Sequence, residues 1–168
     1  MSKIFLIGMP GSGKSFIARR FAYFTGIPVF DTDDIIEKEY GKSIVEIFKT
    51  GGEEVFREYE RDIIKEISKK EEFIVATGGG LPCYQDNIRL INKSGISVYL
   101  KADTETLLHR IKKNPQIRPL INTANDNEII KYLKNTLNER RKYYEQAHYT
   151  VNAAMPADEI LKSEPFNL

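Results

Sequence analysis

A glycine-rich segment near the amino terminus has the residue types that bind phosphate groups. Residues 8–15 read G-M-P-G-S-G-K-S and match the pattern G-x-x-x-x-G-K-[ST] in full. Glycines let a loop adopt positive φ angles and bring backbone N–H groups close to a phosphate. Lys14 can reach the β- and γ-phosphates, and the Ser15 hydroxyl can bind magnesium. We therefore predict a nucleoside triphosphate site, with a glycine-rich turn that binds no nucleotide as the alternative.

Carboxylates follow the next apolar run, where residues 30–34 read F-D-T-D-D. Ligands of open parallel sheets bind beyond the carboxyl ends of the strands, so acids at this position face the phosphate loop. Asp31 can take part in a magnesium shell, and Asp33 can bind the hydroxyl of a phosphate acceptor. Capping of the following helix is an alternative role for Asp33 or Asp34, but it does not explain Asp31.

An arginine and a glutamate have helical spacing in residues 53–60, E-E-V-F-R-E-Y-E. Arg57 and Glu60 are three positions apart, so they share one helical face and the carboxylate can orient the guanidinium. An arginine oriented in this way suits an anionic ligand. A surface ion pair without a further role is the alternative.

Three successive glycines, residues 78–80, come directly after the third apolar run. Their backbone N–H groups carry no side chains, so a ligand or phosphate can approach them closely. A flexible turn is the alternative.

Short apolar runs alternate with longer amphipathic stretches, which predicts an α/β fold of parallel strands joined by helices. We predict strands over residues 3–7, 28–30, 73–76, 97–100 and 149–151. We predict helices over residues 14–25, 34–39, 44–48, 53–69, 85–92, 104–112, 128–147 and 157–162. Residues 33–60 insert about two helices between the second and third strands, and residues 112–127 form a polar, turn-rich loop that we interpret as a lid.

Length and charge limit the classes of function. The chain has 168 residues, which predicts one domain over residues 1–168, and its 25 basic and 24 acidic residues leave a net charge of +1. This balance disfavours a nucleic-acid or membrane partner.

The lone Cys83 excludes an intrachain disulfide and a cysteine zinc site. Without a signal peptide core or a membrane-length apolar run, we expect a cytoplasmic protein, and we expect a monomer.

Together these motifs resemble the shikimate kinase family. The matching elements are residues 8–15, D-T-D at 31–33, F-R-x-x-E at 56–60, G-G-G at 78–80, R-P-L at 118–120, and Arg140 followed by Tyr144. The resemblance implies transfer of the ATP γ-phosphate to the 3-hydroxyl of shikimate with Mg2+, on the route to chorismate and the aromatic amino acids. It also implies a three-layer fold around a five-stranded parallel sheet of order 2-3-1-4-5.

The resemblance implies roles for individual residues. The implied shikimate-binding residues are Asp33, Arg57, Gly79 and Arg140, and the implied catalytic residues are Lys14, Asp33 and Arg118, the last arriving with the lid. The implied ATP-binding residues are Gly11, Ser12, Gly13, Lys14, Ser15, Phe16, Arg110, Arg118 and Pro156. Ser15 and Asp31 remain the predicted magnesium ligands.

One part of the chain departs from the family pattern. The family's last arginine commonly begins R-x-P-x-Y, whereas residues 140–144 read R-R-K-Y-Y, so Arg141 is an alternative to Arg140. We expect His109 and His148 to be non-catalytic, because neither adjoins a matched motif, and Cys83 to serve in packing. A different small-metabolite kinase, such as gluconate kinase, and a non-catalytic nucleotide-binding regulatory module are the alternative functions.

Overall fold

The computed structural model of the chain describes residues 2–113 and 125–168. Its strands are β1 (Lys3–Ile7), β2 (Val29–Asp31), β3 (Phe73–Ala76), β4 (Ile96–Lys101) and β5 (Tyr149–Asn152). Neighbouring strands pair in parallel in the order β2-β3-β1-β4-β5. The predicted sheet is therefore confirmed, and the carboxyl ends of β2, β3 and β1 lie side by side at one edge.

Helices make up most of the remaining described chain. They are α1 (Lys14–Thr25), α2 (Thr32–Tyr40), α3 (Ile44–Ser68), α4 (Asn87–Ser94), α5 (Thr104–Lys113), α6 (Asp126–Tyr144) and α7 (Ala157–Lys162), with a 3-10 turn at Leu81–Cys83. Within residues 2–113 and 125–168, none of the helices combines the length and apolar character needed to cross a bilayer.

The central strands explain why short apolar runs predicted the sheet well. β1 reads K-I-F-L-I and β3 reads F-I-V-A, and of these nine residues only Lys3 is not buried. A parallel sheet covered on both faces buries both sides of its strands, so these strands are continuously apolar. The phosphate loop and the glycine triplet follow directly from these two rigid strands.

The start of α2 differs from the prediction. The helix begins at Thr32, and Asp31 is its N-cap, because Asp31 Oδ1 accepts a hydrogen bond from the Asp33 backbone N–H at 3.2 Å. The interpretation that Asp33 or Asp34 caps this helix is therefore wrong, since both lie within its first turn. Asp31 combines the capping role with its position at the end of β2.

The predicted lid is too long at both ends. Its first two residues belong to α5, which ends at Lys113, and its last two belong to α6, which begins at Asp126. A capping box between Asn125 and Glu128 stabilises the start of α6. Residues 114–124, with Arg118, lie outside the described residues.

The two predicted helices over residues 44–48 and 53–69 are the two halves of α3. They meet at Gly52, whose φ of 76° and ψ of −179° are not helical. A conformation with positive φ and extended ψ is accessible almost only to glycine. This break makes Glu53 the first residue of the second half of α3.

We predict that Gly52→Ala destabilises the protein by strain alone. A Cβ at this position would meet no atom within 4 Å, so the cost comes from the backbone conformation. We expect the free energy of unfolding to fall by about 1–3 kcal/mol in urea denaturation. Lys49→Ala, at an exposed helical position, is the control and should change it by less than about 0.5 kcal/mol; equal effects of both would contradict the prediction.

Candidate active site

The phosphate loop adopts the conformation that its glycines allow. Gly8, Gly11 and Gly13 have φ angles of 140°, 84° and 96°, and a Cβ at Gly8 would lie 2.8 Å from the Leu100 carbonyl oxygen. The loop leads from β1 into the amino terminus of α1, where backbone N–H groups and the helix dipole favour an anion. Lys14 is buried, and its ammonium donates to the carbonyl oxygens of Gly8 at 2.9 Å and Met9 at 2.8 Å.

The two predicted magnesium ligands are in direct contact. The Ser15 hydroxyl donates to Asp31 Oδ2 at 2.5 Å, between the start of α1 and the end of β2. Among the described residues, no group of three or more His, Cys, Asp or Glu side chains could hold a metal ion. Mg2+ in phosphotransfer sites takes few protein oxygens and completes its shell with water and phosphates, so an alcohol and one carboxylate beside a phosphate loop fit it.

The glycines of the triplet are needed because charged side chains pack closely against them, and not because their φ angles are positive. A Cβ at Gly78 would lie 2.7 Å from both Asp33 Oδ1 and Glu60 Oε1, and one at Gly80 would lie 2.5 Å from Arg57 Nη1. Real Cβ atoms do not come so close to other heavy atoms. Any side chain here would therefore displace the carboxylates or the guanidinium.

The middle glycine and a buried threonine fix the triplet to the rest of the site. A Cβ at Gly79 would lie 2.6 Å from Cδ of Pro10 in the phosphate loop and 3.1 Å from Arg140 Nη1. The Gly78 backbone N–H donates to Thr32 Oγ1 at 2.8 Å. The triplet is therefore the point at which α2, α3, α6 and the phosphate loop meet.

Arg57 is held on several sides. Its Nη1 donates to Glu60 Oε2 at 2.6 Å, and both side chains are buried. Its Nε and Nη2 donate to Glu53 Oε1 at 3.3 Å and 3.0 Å. The Tyr84 ring lies 4.6 Å from the guanidinium carbon, a cation–π contact. The helical pairing of Arg57 with Glu60 is present as predicted, whereas Glu53 and Tyr84 were not predicted.

Several polar atoms of the site are buried without a hydrogen-bond partner among the described residues. They are Asp33 Oδ1, Glu60 Oε1, Arg140 Nη1 and, in the phosphate loop, Ser12 Oγ. Buried polar atoms are nearly always hydrogen-bonded, so these atoms are candidates for contact with a ligand. Two acceptors and a cationic donor match a ligand that carries hydroxyl groups and a carboxylate.

Burial raises the pKa values of both carboxylates. The pKa of Asp33 rises to about 6, chiefly through burial and then through the negative charge of Asp31, while Lys14 opposes the shift. Burial raises the pKa of Glu60 to about 7, against the opposing effect of Arg57. Both acids titrate near neutrality because the interior disfavours their charged forms.

Arg140 and Arg141 lie in different environments on α6. Arg140 contacts the glycine triplet, whereas Arg141 is exposed and lies 4.0 Å from Glu145 on the surface. One turn after Arg140, the buried Tyr144 hydroxyl donates to the Gly79 carbonyl oxygen at 2.6 Å. The geometry thus favours Arg140 over Arg141 as a site residue.

Arg110 joins the two loops of the predicted nucleotide site. Its guanidinium donates to the Ser12 carbonyl oxygen at 2.9 Å and to the Ala153 carbonyl oxygen at 2.5 Å. Ala153 follows β5, and Pro156 caps α7 three residues later. Phe16, on α1, is 59% exposed, and its role in ATP binding stays a prediction.

The remaining single-residue predictions concern His109, His148 and Cys83. His109 is exposed on α5. His148 Nδ1 accepts a hydrogen bond from the Ser97 backbone N–H, which ties β4 to the start of β5. Burial raises the pKa of Cys83 to about 11, so its thiol stays protonated at neutral pH.

A cavity of about 400 Å³ opens beside the triplet on the side of the two arginines. Its lining comes from three parts of the chain and is mostly polar: Glu53, Arg57, Gly80, Cys83, Tyr84, Glu139, Arg140, Lys142 and Tyr143. Of the predicted acceptor-binding residues, Arg57 and Arg140 line this cavity. Asp33 and Gly79 do not line it, but both belong to the close contacts of the glycine triplet.

Comparison with known proteins identifies the family. The family model described as shikimate kinase matches residues 10–163. The chain belongs to the shikimate kinase family. A shikimate kinase from Clostridium botulinum is 44% identical over 88% of this chain and 85% of its own length. The predicted family and enzyme class, an ATP-dependent phosphotransferase, are confirmed.

Solved structures of family members share the fold over nearly the whole chain. A shikimate kinase from Bacteroides thetaiotaomicron has a TM-score of 0.89 and 31% identity, covering 96% of this chain and 97% of that one. A shikimate kinase from Acinetobacter baumannii, solved in complex with shikimate, has a TM-score of 0.86 and 32% identity, covering 96% of this chain and 92% of its own.

We predict that Asp33→Asn stabilises the ligand-free protein at neutral pH. Because folding raises the Asp33 pKa from 3.8 to about 6, the folded state binds more protons than the unfolded state in this range, and stability falls as pH rises from about 4 to 6. Asparagine removes this loss. We expect urea denaturation at pH 7.5 to show a gain of about 1–3 kcal/mol.

The gain should disappear as the pH approaches 4, where Asp33 is protonated in the folded state. Asp62→Asn, which changes an exposed carboxylate on α3, should shift the free energy of unfolding by less than about 0.5 kcal/mol at either pH. A pH-independent change in Asp33→Asn would refute the assignment of the buried carboxylate.

Proposed function

We propose that this member of the family transfers the γ-phosphate of ATP to the 3-hydroxyl of shikimate, on the route to chorismate. The observation that carries the proposal is the convergence of Asp33, Arg57 and Arg140 on the glycine triplet, directly beside a phosphate loop. Asp33 and Arg140 each present a buried atom that the described residues leave without a hydrogen bond. The family membership and the shikimate complex of the Acinetobacter enzyme support this choice of acceptor.

Shikimate carries a carboxylate and hydroxyl groups, and the residues around the glycine triplet can bind both. Arg57 and Arg140 bind the carboxylate, because planar guanidinium groups form paired, charge-assisted hydrogen bonds with it. Asp33, between the triplet and Lys14, accepts a hydrogen bond from the hydroxyl that receives the phosphate. Glu60 holds Arg57 through the ion pair of 2.6 Å and so fixes the orientation of its guanidinium.

Phosphoryl transfer needs positioning and charge neutralisation more than covalent help from the protein. The backbone N–H groups of residues 8–15 hold the phosphates, and Lys14 moves from the loop carbonyls to the β- and γ-phosphates. Ser15 and Asp31 would hold Mg2+, which supplies charge neutralisation at the phosphates when bound. Asp33 orients the acceptor hydroxyl and takes its proton, and Arg118 neutralises the moving phosphoryl group.

The adenine side of ATP would lie against Arg110 and Pro156. Arg110 already spans the phosphate loop and the segment after β5, so both walls of this part of the site are joined. We further propose one domain over residues 1–168 that works as a cytoplasmic monomer.

An assay of acceptor preference tests the proposed function. Purified protein with ATP and Mg2+ is supplied with shikimate or gluconate, and ADP release is coupled to NADH oxidation. We expect turnover with shikimate and none above background with gluconate. ATP binding without turnover on either acid would instead support a regulatory module, and turnover on gluconate alone would support a different metabolite kinase.

We predict that loss of Arg57 weakens acceptor use and spares ATP. Arg57→Ala should lower kcat/KM for shikimate by about 100-fold or more, since a charge-assisted pair contributes about 3 kcal/mol. The affinity for ATP should change less than about twofold because Arg57 does not touch the phosphate loop. Equal losses for shikimate and ATP would show that Arg57 does not act specifically in binding the acceptor.

Two further variants keep this prediction testable. Arg57→Ala leaves Glu60 buried without its partner, so its folding must be checked by circular dichroism. Arg57→Lys keeps the charge but not the planar fork, and it should fold and still lose acceptor affinity. Arg89→Ala, an exposed arginine on α4, should behave as wild type.

A further inference from the structure

Glu53 occupies the edge of Arg57 that suits a carboxylate ligand. One oxygen of Glu53, Oε1, receives hydrogen bonds from both Nε and Nη2 of the guanidinium, at 3.3 Å and 3.0 Å. These two N–H groups form the side-on fork with which arginine commonly binds carboxylates. In the ligand-free protein a side chain of the chain itself therefore fills a carboxylate position on Arg57.

The other sides of the guanidinium are already taken. Nη1 donates to the buried Glu60, the Tyr84 ring lies 4.6 Å from the guanidinium carbon, and Gly80 packs against both terminal nitrogens. Arg57, Glu53 and Arg140 all line the cavity of about 400 Å³. An anion that enters this cavity therefore meets the edge of Arg57 that Glu53 holds.

The charges around the cavity also indicate that Glu53 opposes the binding of an anionic ligand. The positive residues that line the cavity are Arg57, Arg140 and Lys142, and the negative ones are Glu53 and Glu139. An ionised Glu60, paired with Arg57, makes this group neutral. A carboxylate is attracted more strongly when this balance is positive. Removing Glu53 from Arg57 supplies that charge difference.

Glu53 can move where Glu60 cannot. The Glu53 side chain is 51% exposed, whereas that of Glu60 is 1% exposed and fixed beside Gly78. Glu53 also comes directly after Gly52, where α3 is broken, so no preceding helical turn holds its backbone. The Glu53 carboxylate therefore lies at the half-exposed end of the ion pair, where an incoming carboxylate can replace it without displacing Arg57 or Glu60.

We propose that Glu53 is an internal competitor for the carboxylate of the acceptor: it holds Arg57 in the free enzyme and leaves when the substrate binds. The inference rests on the proposed function in one respect, that Arg57 binds the acceptor's carboxylate. Glu53 thereby lowers affinity for the acceptor while it keeps Arg57 oriented and the empty cavity neutral. It is a positioning residue and does not contact the reacting atoms.

Calorimetric titration with shikimate tests the proposal without relying on turnover. Glu53→Gln should lower the Kd for shikimate about three- to tenfold, because it removes a competing charge close to the bound carboxylate. The Kd for ATP, measured in the same way, should stay within about twofold of wild type. Glu54→Gln is the matched control, since Glu54 is the adjacent exposed glutamate and has no hydrogen bond or ion pair in the described part of the chain.

The methyl ester of shikimate separates competition from a general effect. The ester has no negative charge, so Glu53→Gln should give it no gain in affinity. A Kd for shikimate that rises or stays unchanged in Glu53→Gln, an equal gain in Glu54→Gln, or an equal gain for the ester would each overturn the proposal. Failure of the wild-type protein to bind or phosphorylate shikimate would instead refute the proposed function itself.

Discussion

The buried ion pair between Arg57 and Glu60 is the interaction on which the acceptor side of the site depends. Both side chains are nearly inaccessible to water, and a charge buried in this way is tolerated only when it is paired and hydrogen-bonded. The pair packs against Gly78 and Gly80, and only residues without a Cβ leave room for it. The glycine triplet and the ion pair therefore require each other.

The same triplet couples the acceptor side to the nucleotide side. Gly78 is bonded to Thr32, which stands between Asp31 and Asp33, and Gly79 packs against Pro10 of the phosphate loop. A shift of the triplet would therefore disturb the segment from Asp31 to Asp33 and the phosphate loop together. Rigid strands β1 and β3 hold both loops, which explains how a short turn can keep these groups in place.

The buried carboxylates of the site lower the stability of the ligand-free protein. Burial raises the pKa values of both Asp33 and Glu60, and each has one buried oxygen with no hydrogen-bond partner among the described residues. Such groups cost free energy in the folded protein, and a bound hydroxyl or cation can recover part of it. Natural proteins place such local costs at functional sites.

The motifs predicted most of this site because each is tied to the end of a rigid element. The phosphate loop, the D-T-D segment and the glycine triplet follow β1, β2 and β3, so sheet order alone brings them together. The helical spacing of Arg57 and Glu60 predicted their contact in the same way. The family resemblance supplied the choice of Arg140, which no local pattern distinguished from Arg141.

Other features depend on tertiary packing and could not be predicted. Tyr84 reaches Arg57 only because the 3-10 turn after the triplet folds back toward α3. The structural role of Thr32 depends on a hydrogen bond from Gly78, a residue 46 positions away.

Glu53, by contrast, could have been identified from the sequence, because it has the i,i+4 spacing to Arg57. Asp31 caps α2 and remains a predicted magnesium ligand, whereas the sequence suggested Asp33 or Asp34 for the cap.

A crystal structure of the protein with shikimate and ADP tests the central claim most directly, namely that the glycine triplet gathers these groups into one acceptor pocket. We expect the shikimate carboxylate to lie within hydrogen-bond distance of Arg57 and Arg140, and a ring hydroxyl to contact Asp33. Shikimate bound away from the triplet, or with its carboxylate distant from both arginines, would contradict it.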